Sequence, residues 1–468
     1  MIDIKAVAEI RPTERQLQWQ QLEFYGFIHF GINTFTDREW GLGNESPSLF
    51  NPTELDAEQW VRAFKSAGMR GLILTCKHHD GFCLWPSKYT DYSVKSSPWR
   101  DGRGDLVKEV SDACRKYGLK FGIYLSPWDR HEPSYGDSDR YNEFYLNQLE
   151  ELLTNYGEIF AVWLDGACGE GPNGKRQVYD WDAYYDLVRR LQPNAVISVC
   201  GPDVRWCGNE AGQTRPEEWS VVPAALQDAE RVQEKSQKVD DGQFGKEIRS
   251  QDLDLGSREA IRGVKDLVWY PAEVNTSIRP GWFYHESEDD KVKSLGELLN
   301  IYFNSVGGNA TFLLNVPPDK RGLIHENDAA RLKEMGDYLE SLFAENLAEG
   351  ASFTPSVTAP GNDDCNEYWR APDGVEQAEI EIDLGEEKRF DTVVLGEAIA
   401  IGQRIERFTL SALQDGEWHE IHSGTVVGYK NIGRFSPVMA RHLRLSITES
   451  RYFPTLKQFE LYLSPENK

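Results

Sequence analysis

Asp165 follows directly on the apolar run Phe160-Ala161-Val162-Trp163-Leu164 and precedes Gly166. A charge in that position cannot be strand interior without a partner. It is either a turn or helix-cap residue, or a working carboxylate exposed where the run ends, with Gly166 letting the backbone turn away. A second acid, Glu210, closes the Trp/Gly-rich loop Arg205-Trp206-Cys207-Gly208-Asn209-Glu210. It is either a solvated loop residue or the partner of Asp165. As a pair they suit cleavage of a glycosidic bond, one attacking the sugar carbon and the other protonating the leaving oxygen. His78-His79-Asp80 allows three readings: a metal site with His29 and Asp165, a hydrogen-bonded structural role, or recognition of a polar substrate. Adjacent residues at a strand end point to opposite sides, and the spacing is neither HxH nor HExxH. Neutral imidazole donates and accepts at once, which suits sugar hydroxyls.

Groups of this kind collect where parallel strands end. Short β-like runs at 24–30, 71–75, 120–125, 159–164, 195–199 and 310–314 alternate with helical stretches up to about residue 345. Asp56 caps one helix, with Gln59 placed as in a capping box. Gly118 stops the next, and 141–156, 181–191 and 328–342 carry further apolar stripes. The pattern predicts a (β/α)8-like barrel over 1–347; a doubly wound sheet is the alternative, but no glycine-rich phosphate fingerprint follows any strand. Ends of the predicted strands would bring His29, Glu39-Trp40, His78-His79, Tyr124, Asp165 and the 205–210 loop to one cup. The stretch Glu273 to His285, dense in aromatics beside Pro280-Gly281, is either a packed loop or a stacking wall.

Beyond a polar stretch at 350–364 the period changes to two. Ala378, Ile380, Ile382 and Leu384 alternate with Glu379, Glu381 and Asp383, as do Leu443, Leu445 and Ile447 with His442, Arg444 and Ser446. With turn signals such as Asp415-Gly416, this predicts an antiparallel β-sandwich over 348–468.

Composition narrows the function. The 468 residues hold 51 Lys/Arg and 76 Asp/Glu, a net charge of −25, which argues against nucleic acid or an anionic membrane as partner. No stretch reaches the roughly 18 apolar residues of a membrane span. The first thirty residues hold no apolar h-region followed by a small-residue cleavage site; the chain is expected to be cytoplasmic, or to have lost a leader. Seven cysteines without CxxC spacing read as buried thiols or an occasional pair. Fourteen Trp, 20 Tyr and 21 Phe fit a site that stacks on sugar rings.

In this order, His29-Phe30-Gly31, Glu39-Trp40, His78-His79-Asp80-Gly81-Phe82, Trp163-Leu164-Asp165-Gly166 and Leu313-Leu314-Asn315-Val316 resemble glycoside hydrolase family 29, the α-L-fucosidases. Trp206 to Glu210 and Arg279 to His285 look like the subgroup that prefers α-1,3- and α-1,4-linked fucose. The resemblance implies an exo-acting retaining enzyme on fucosylated glycans, with Asp165 as nucleophile and Glu210 as acid/base. Glu217, Glu218 and Glu273 are the alternatives for the second role. It implies that His29, Glu39, Trp40, His78, His79, Tyr124 and Trp163 hold the fucose, that Trp282 packs on its C5 methyl, and that Glu273 could bind the neighbouring sugar. It further implies a carbohydrate-binding or discoidin-like C-terminal module, in which a structural Ca²⁺ is compatible, no catalytic cofactor or metal, and a periplasmic or secreted location. Two other classes stay open: a non-catalytic sugar-binding barrel, which would bind glycan without releasing monosaccharide, and a metal-dependent hydrolase, which a chelator would inactivate.

Overall fold

The computed structural model of the chain describes residues 3–171, 173–237, 253–360 and 367–467. Its first part is built on parallel strands: β1 (Phe24–Ile28), β2 (Gly71–Lys77), β3 (Lys120–Leu125), β4 (Ala161–Leu164), β5 (Val196–Val199), β6 (Arg205–Trp206), β7 (Ala272–Ser277) and β8 (Thr311–Asn315). They form an 8-stranded sheet in the order β5-β4-β3-β2-β1-β8-β7-β6. First and last strands are therefore neighbours, as in a barrel and unlike a doubly wound sheet. A single bridge between Ser198 and Val204 spans the seam from β5 to β6. Only residues 200–204 separate those two strands, too few for the helical crossover that ordinarily joins parallel neighbours. The result is a near-closed variant of the predicted barrel.

The barrel strands are buried on both faces, which is why they read as apolar runs. Residues of one parity pack inside: Tyr25 and Phe27 on β1, Ile73 on β2, Tyr124 on β3, and Ala161 and Trp163 on β4 form one cluster. Those of the other parity pack outward against helices α1 (Ala57–Ser66), α2 (Leu106–Tyr117), α3 (Ser138–Asn155), α4 (Trp181–Leu191), α5 (Leu295–Ser305) and α6 (Glu326–Leu342). Gly26 is an outward position that must stay bare, because a Cβ there would lie 1.8 Å from Phe64 Cε1 of α1. Asp56 caps α1 by accepting from the Gln59 N–H at 2.9 Å. The reciprocal half of the capping box is not made. The Gln59 amide instead bonds the Ile324 carbonyl and N–H, each at 2.9 Å, tying α1 to the approach to α6.

The second part is antiparallel: β9 (Ser352–Pro355), β10 (Ala378–Gly396), β11 (Ile405–Gln414), β12 (Glu417–Gly424), β13 (Asn431–Ser450) and β14 (Gln458–Tyr462). The alternation seen in the sequence sets the register. Ile380 pairs with Leu445 and Ile382 with Leu443 on the buried face, while Glu381 opposes Arg444 outside, 2.8 Å apart. Asp415 and Gly416, with φ of 50° and 83°, make the tight turn between β11 and β12. This unit docks on the N-terminal ends of the barrel strands. Glu23, just before β1, accepts from Tyr429 at 2.8 Å and Lys430 at 2.5 Å, and the Asn309 side chain before β8 accepts from the Tyr429 N–H at 2.8 Å. Cys76, Cys83, Cys114, Cys168, Cys200 and Cys207 are free thiols; Cys365 lies outside the described residues.

Candidate active site

At the opposite, C-terminal ends of the strands a cleft opens. Its walls include His29, Glu39, Trp40, His78, His79, Trp163, Asp165, Trp206, Glu210, Asn275 and Trp282. Strand parity builds its floor. On β4, Ala161 and Trp163 face inward, and Asp165 continues that series one step past the strand. On β1, Tyr25 and Phe27 face inward, and His29 is the next step. Each charged or imidazole group is thus the first inward position beyond the packed layers.

Both Asp165 oxygens are held. Oδ2 accepts from the Tyr124 hydroxyl at 2.8 Å and Oδ1 from the Ala167 N–H at 2.8 Å. Gly166 does not make a left-handed turn, and its nearest neighbour is the Ser236 hydroxyl, 2.2 Å from where a Cβ would stand. Tyr124 itself is fully buried and reaches the site through this bond rather than from the cleft wall.

Burial pushes the His29 and His79 pKa values down to about 4 and that of His78 well below its ordinary value, so all three are neutral near pH 7. For His29 and His79 the partners set the tautomers. Asn315 Nδ2 donates to the Trp282 carbonyl at 2.8 Å, so its Oδ1 faces His29 Nδ1, also at 2.8 Å, and that nitrogen must carry the proton. Ser126 donates to the Trp128 carbonyl at 2.7 Å, so it must accept from His79 Nδ1 at 2.7 Å. In both rings Nε2 is left as an acceptor, and that of His79 stands 3.8 Å from Asp165 Oδ2. The expectation that His78 and His79 point to opposite sides does not hold. The strand ends at Lys77, so the pair is released from alternation and both rings line the cleft, centroids 4.1 Å apart.

Glu210 enters from the loop after β6. Burial raises its pKa to about 7; the Trp282 indole N–H, 3.2 Å from Oε2, works against that rise, while the charges of Asp165 and Glu39 add to it. Glu217 and Glu218 do not line the cleft. Glu218 is buried between Arg205 at 2.5 Å and Arg215 at 3.4 Å, and Glu217 lies beside the Trp219 indole. Glu39 lines the cleft while bracing the opposite loop: it accepts from the N–H groups of Trp282 and Phe283, at 2.8 and 3.0 Å, and pairs with His285 at 2.7 Å. The stretch from Glu273 to His285 is therefore wall and packed loop together. Trp40 stands edge-on to His79 and Trp128.

Glu273 is misplaced by the sequence reading. Asn275, two residues on along β7, lines the cleft, so Glu273 lies one inward layer, about 7 Å, deeper. It is fully buried, accepts from Trp163 Nε1 and the Tyr25 hydroxyl, and does not line the cavity. The sequence reading missed Ser126 and Asn315 as imidazole anchors and His285 with Asp37 as the clamp on Glu39. None of these contacts has a spacing signal, because each joins different strands or loops. Among the described residues no group of three or more His, Cys, Asp or Glu side chains is arranged to hold a metal ion.

Comparison with known proteins bears on this geometry. The family model described as Alpha-L-fucosidase matches residues 8–342, and that of the F5/8 type C domain matches 346–457. The chain is 43% identical to Alpha-L-fucosidase 1 of Arabidopsis thaliana over 97% of its own length and 87% of that protein's. A Ruminococcus gnavus GH29 fucosidase solved in complex with fucose superposes with a TM-score of 0.83 at 34% identity, over 98% of this chain and 96% of that one. A glycoside hydrolase 29 family member from an unknown rumen bacterium gives 0.82 at 41% identity, over 98% and 78%.

Proposed function

The chain belongs to the α-L-fucosidase family, glycoside hydrolase family 29, and from that premise we propose that Asp165 is its nucleophile and Glu210 its acid/base. Membership makes it a retaining glycoside hydrolase. In the first step an Asp165 oxygen attacks the anomeric carbon, the bond to the leaving oxygen breaks, and Glu210 delivers its proton to that oxygen. In the second, water attacks the same carbon, Glu210 takes the water's proton, and the ester to Asp165 breaks. The observation that carries this reading is that Asp165 and Glu210 line one cleft, with Glu210 held by the Trp282 indole and its pKa raised to about 7, by burial first and then by the charges of Asp165 and Glu39. Formation of the ester removes the Asp165 charge, so the Glu210 pKa falls and the carboxylate, its proton already given up, stays available as the base of the second step.

The neutral imidazoles support recognition of fucose. His29 and His79 each present a lone pair, which suits a hydroxyl donor. Trp40, Trp163 and Trp282 add aromatic faces, and Trp282 suits the C5 methyl of a deoxy sugar. We assign His29, His78, His79, Glu39 and these three indoles to the fucose subsite; Tyr124 serves it from behind Asp165. Past Glu210 and Trp282 the cleft continues into a second recess, bordered by Thr276, Pro280, Glu288 and Lys293. That room beside the acid supports a branched leaving group, hence α-1,3- or α-1,4-linked fucose. The reaction as written uses no cofactor, and a periplasmic or secreted location belongs to the same reading.

Two measurements test it. A 2-deoxy-2-fluoro-fucosyl fluoride should leave its sugar on the peptide containing Asp165, read by mass spectrometry; labelling elsewhere overturns the nucleophile assignment. Linear α-1,2- and branched α-1,3/1,4-fucosyl oligosaccharides offered side by side should release fucose faster from the branched pair; the reverse order overturns the linkage assignment.

A further inference from the structure

Beneath the fucose subsite lies a carboxylate that the reaction does not touch. Glu273 is fully buried, and among the described residues it has no ion-pair partner. Trp163 Nε1 donates to its Oε1 at 2.7 Å and the Tyr25 hydroxyl donates to Oε2. Tyr25 accepts in turn from Trp19 Nε1 at 2.8 Å and lies 3.1 Å from Thr311 Oγ1. Tyr25, Trp163 and Glu273 come from β1, β4 and β7, so the acid ties three strands of the barrel interior together, and Thr311 of β8 joins through Tyr25.

A buried acid without a cation is a costly way to fill a core. What it provides is direction. An indole's outer side-chain torsion has only a broad, roughly two-fold preference of its own, and its single polar atom is Nε1. An acceptor below that atom selects one orientation of the ring. Trp163 is the ring in question: it forms part of the cleft wall, stacks on Tyr124 with centroids 5.5 Å apart and planes 23° from parallel, and packs on Phe27 at 5.2 Å. Tyr124 in turn donates to Asp165 Oδ2.

We propose that Glu273 is a positioning residue for the fucose subsite, fixing the Trp163 ring from beneath and, through the Trp163–Tyr124 stack, the hydroxyl that orients Asp165. This rests on the roles assigned above to Asp165 and Trp163. Glutamine preserves the arrangement, since its carbonyl can accept from Trp163 while its amide donates to Tyr25, whose hydroxyl then turns to Thr311. Leucine leaves the indole N–H without an acceptor, and methionine replaces the carboxylate with only a weakly accepting thioether.

The test compares E273Q, E273L, W163F and W163F/E273L with the parent on an aryl fucoside, alongside Asp165→Ala. E273L should lower kcat/KM about 10- to 100-fold, the scale of a small misplacement near reacting atoms, while its Tm is unchanged or higher because a buried charge has gone. E273Q should recover most of the loss, and the double variant should be no worse than W163F alone. If E273L does not fold, E273M, closer in length, carries the same comparison. Parental kcat/KM in the leucine or methionine variant, or strictly multiplied losses in the double variant, overturns the proposal. An active Asp165→Ala would instead overturn the reading of the cleft on which it rests.

Discussion

Trp282 Nε1 donates to Glu210 Oε2 over 3.2 Å. The same indole that lines the cleft therefore holds the carboxylate proposed as the acid/base. The loop bearing Trp282 is itself held by Glu39, which accepts from the N–H groups of Trp282 and Phe283, so the two sides of the cleft are braced against each other.

Trp282→Phe keeps an aromatic wall and removes that one donor. A hydrogen bond to a carboxylate favours its charged form, so the Glu210 pKa should rise above about 7, and the basic limb of the kcat/KM profile should move to higher pH. The rate at the optimum should fall roughly 10- to 100-fold, the worth of one hydrogen bond to a charged group. An unmoved basic limb would separate Trp282 from proton transfer.

Asp165→Ala should lower turnover of an aryl fucoside by about 10³-fold or more. Azide should restore part of it, since the small anion fits the space of the missing carboxylate and attacks the sugar directly. The product should be the fucosyl azide of inverted configuration, identified by NMR.

Glu210→Ala should distinguish substrates by leaving group. Natural glycans need the proton and should lose about 10²- to 10⁴-fold in kcat/KM; a fucoside of an acidic phenol should lose much less in its first step. Pre-steady-state bursts of phenol would show the second step limiting. Equal losses on both substrates would point to a different acid.

His285 gives the fold a pH dependence of its own. Its hydrogen bond to Glu39 and, more weakly, that to Asp37 raise its pKa from 6.5 to about 9 against the opposing effect of burial. Between those values the folded protein holds a proton that the unfolded chain has lost. The stabilisation is complete below about 6.5 and declines as pH rises through about 9. Glu210 and Glu273, both raised to about 7, have their effect at lower pH. Thermal melts from pH 7.5 to 9.5 should therefore show a falling Tm in the parent and a flatter one in His285→Gln.

Dialysis against EDTA should leave kcat and KM on an aryl fucoside unchanged, because the described cleft offers imidazoles bound to Asn315 and Ser126 rather than a convergent ligand set. Loss of activity restored by zinc or manganese would favour a metal-dependent hydrolase.

Much of this site was legible in one dimension. A carboxylate directly after a buried run, as at Asp165, has few places to go in a parallel barrel. His29 and Trp163 are legible for the same reason, since each stands at the end of a predicted strand. Alternation also marked Ile380, Ile382, Leu443 and Leu445 as one face and Glu381 and Arg444 as the other, while the pairing of Ile380 with Leu445 came only with the structure. The reading failed where alternation stops or where depth matters. His78 and His79 lie just beyond β2, so parity no longer separates them. Glu273 has the right parity but the wrong layer.

The alternation of strands and helices over most of the barrel, the buried face of the C-terminal strands, and the residue types that could cleave a glycosidic bond are properties of local pattern, and the chain carries them in its sequence alone. The barrel strands Arg205–Trp206 and Ala272–Ser277, which the sequence presents as loops, are not among them. Tautomers, the pairing of Trp282 with Glu210, the Glu39 clamp and the burial of Glu273 depend on which loops meet across the barrel. Those contacts join residues up to hundreds of positions apart, and only closure of the sheet brings them within hydrogen-bonding range. Titration follows the same division: any Glu210 is a carboxylate, but only exclusion of water and the nearness of Asp165 make it an acid at neutral pH.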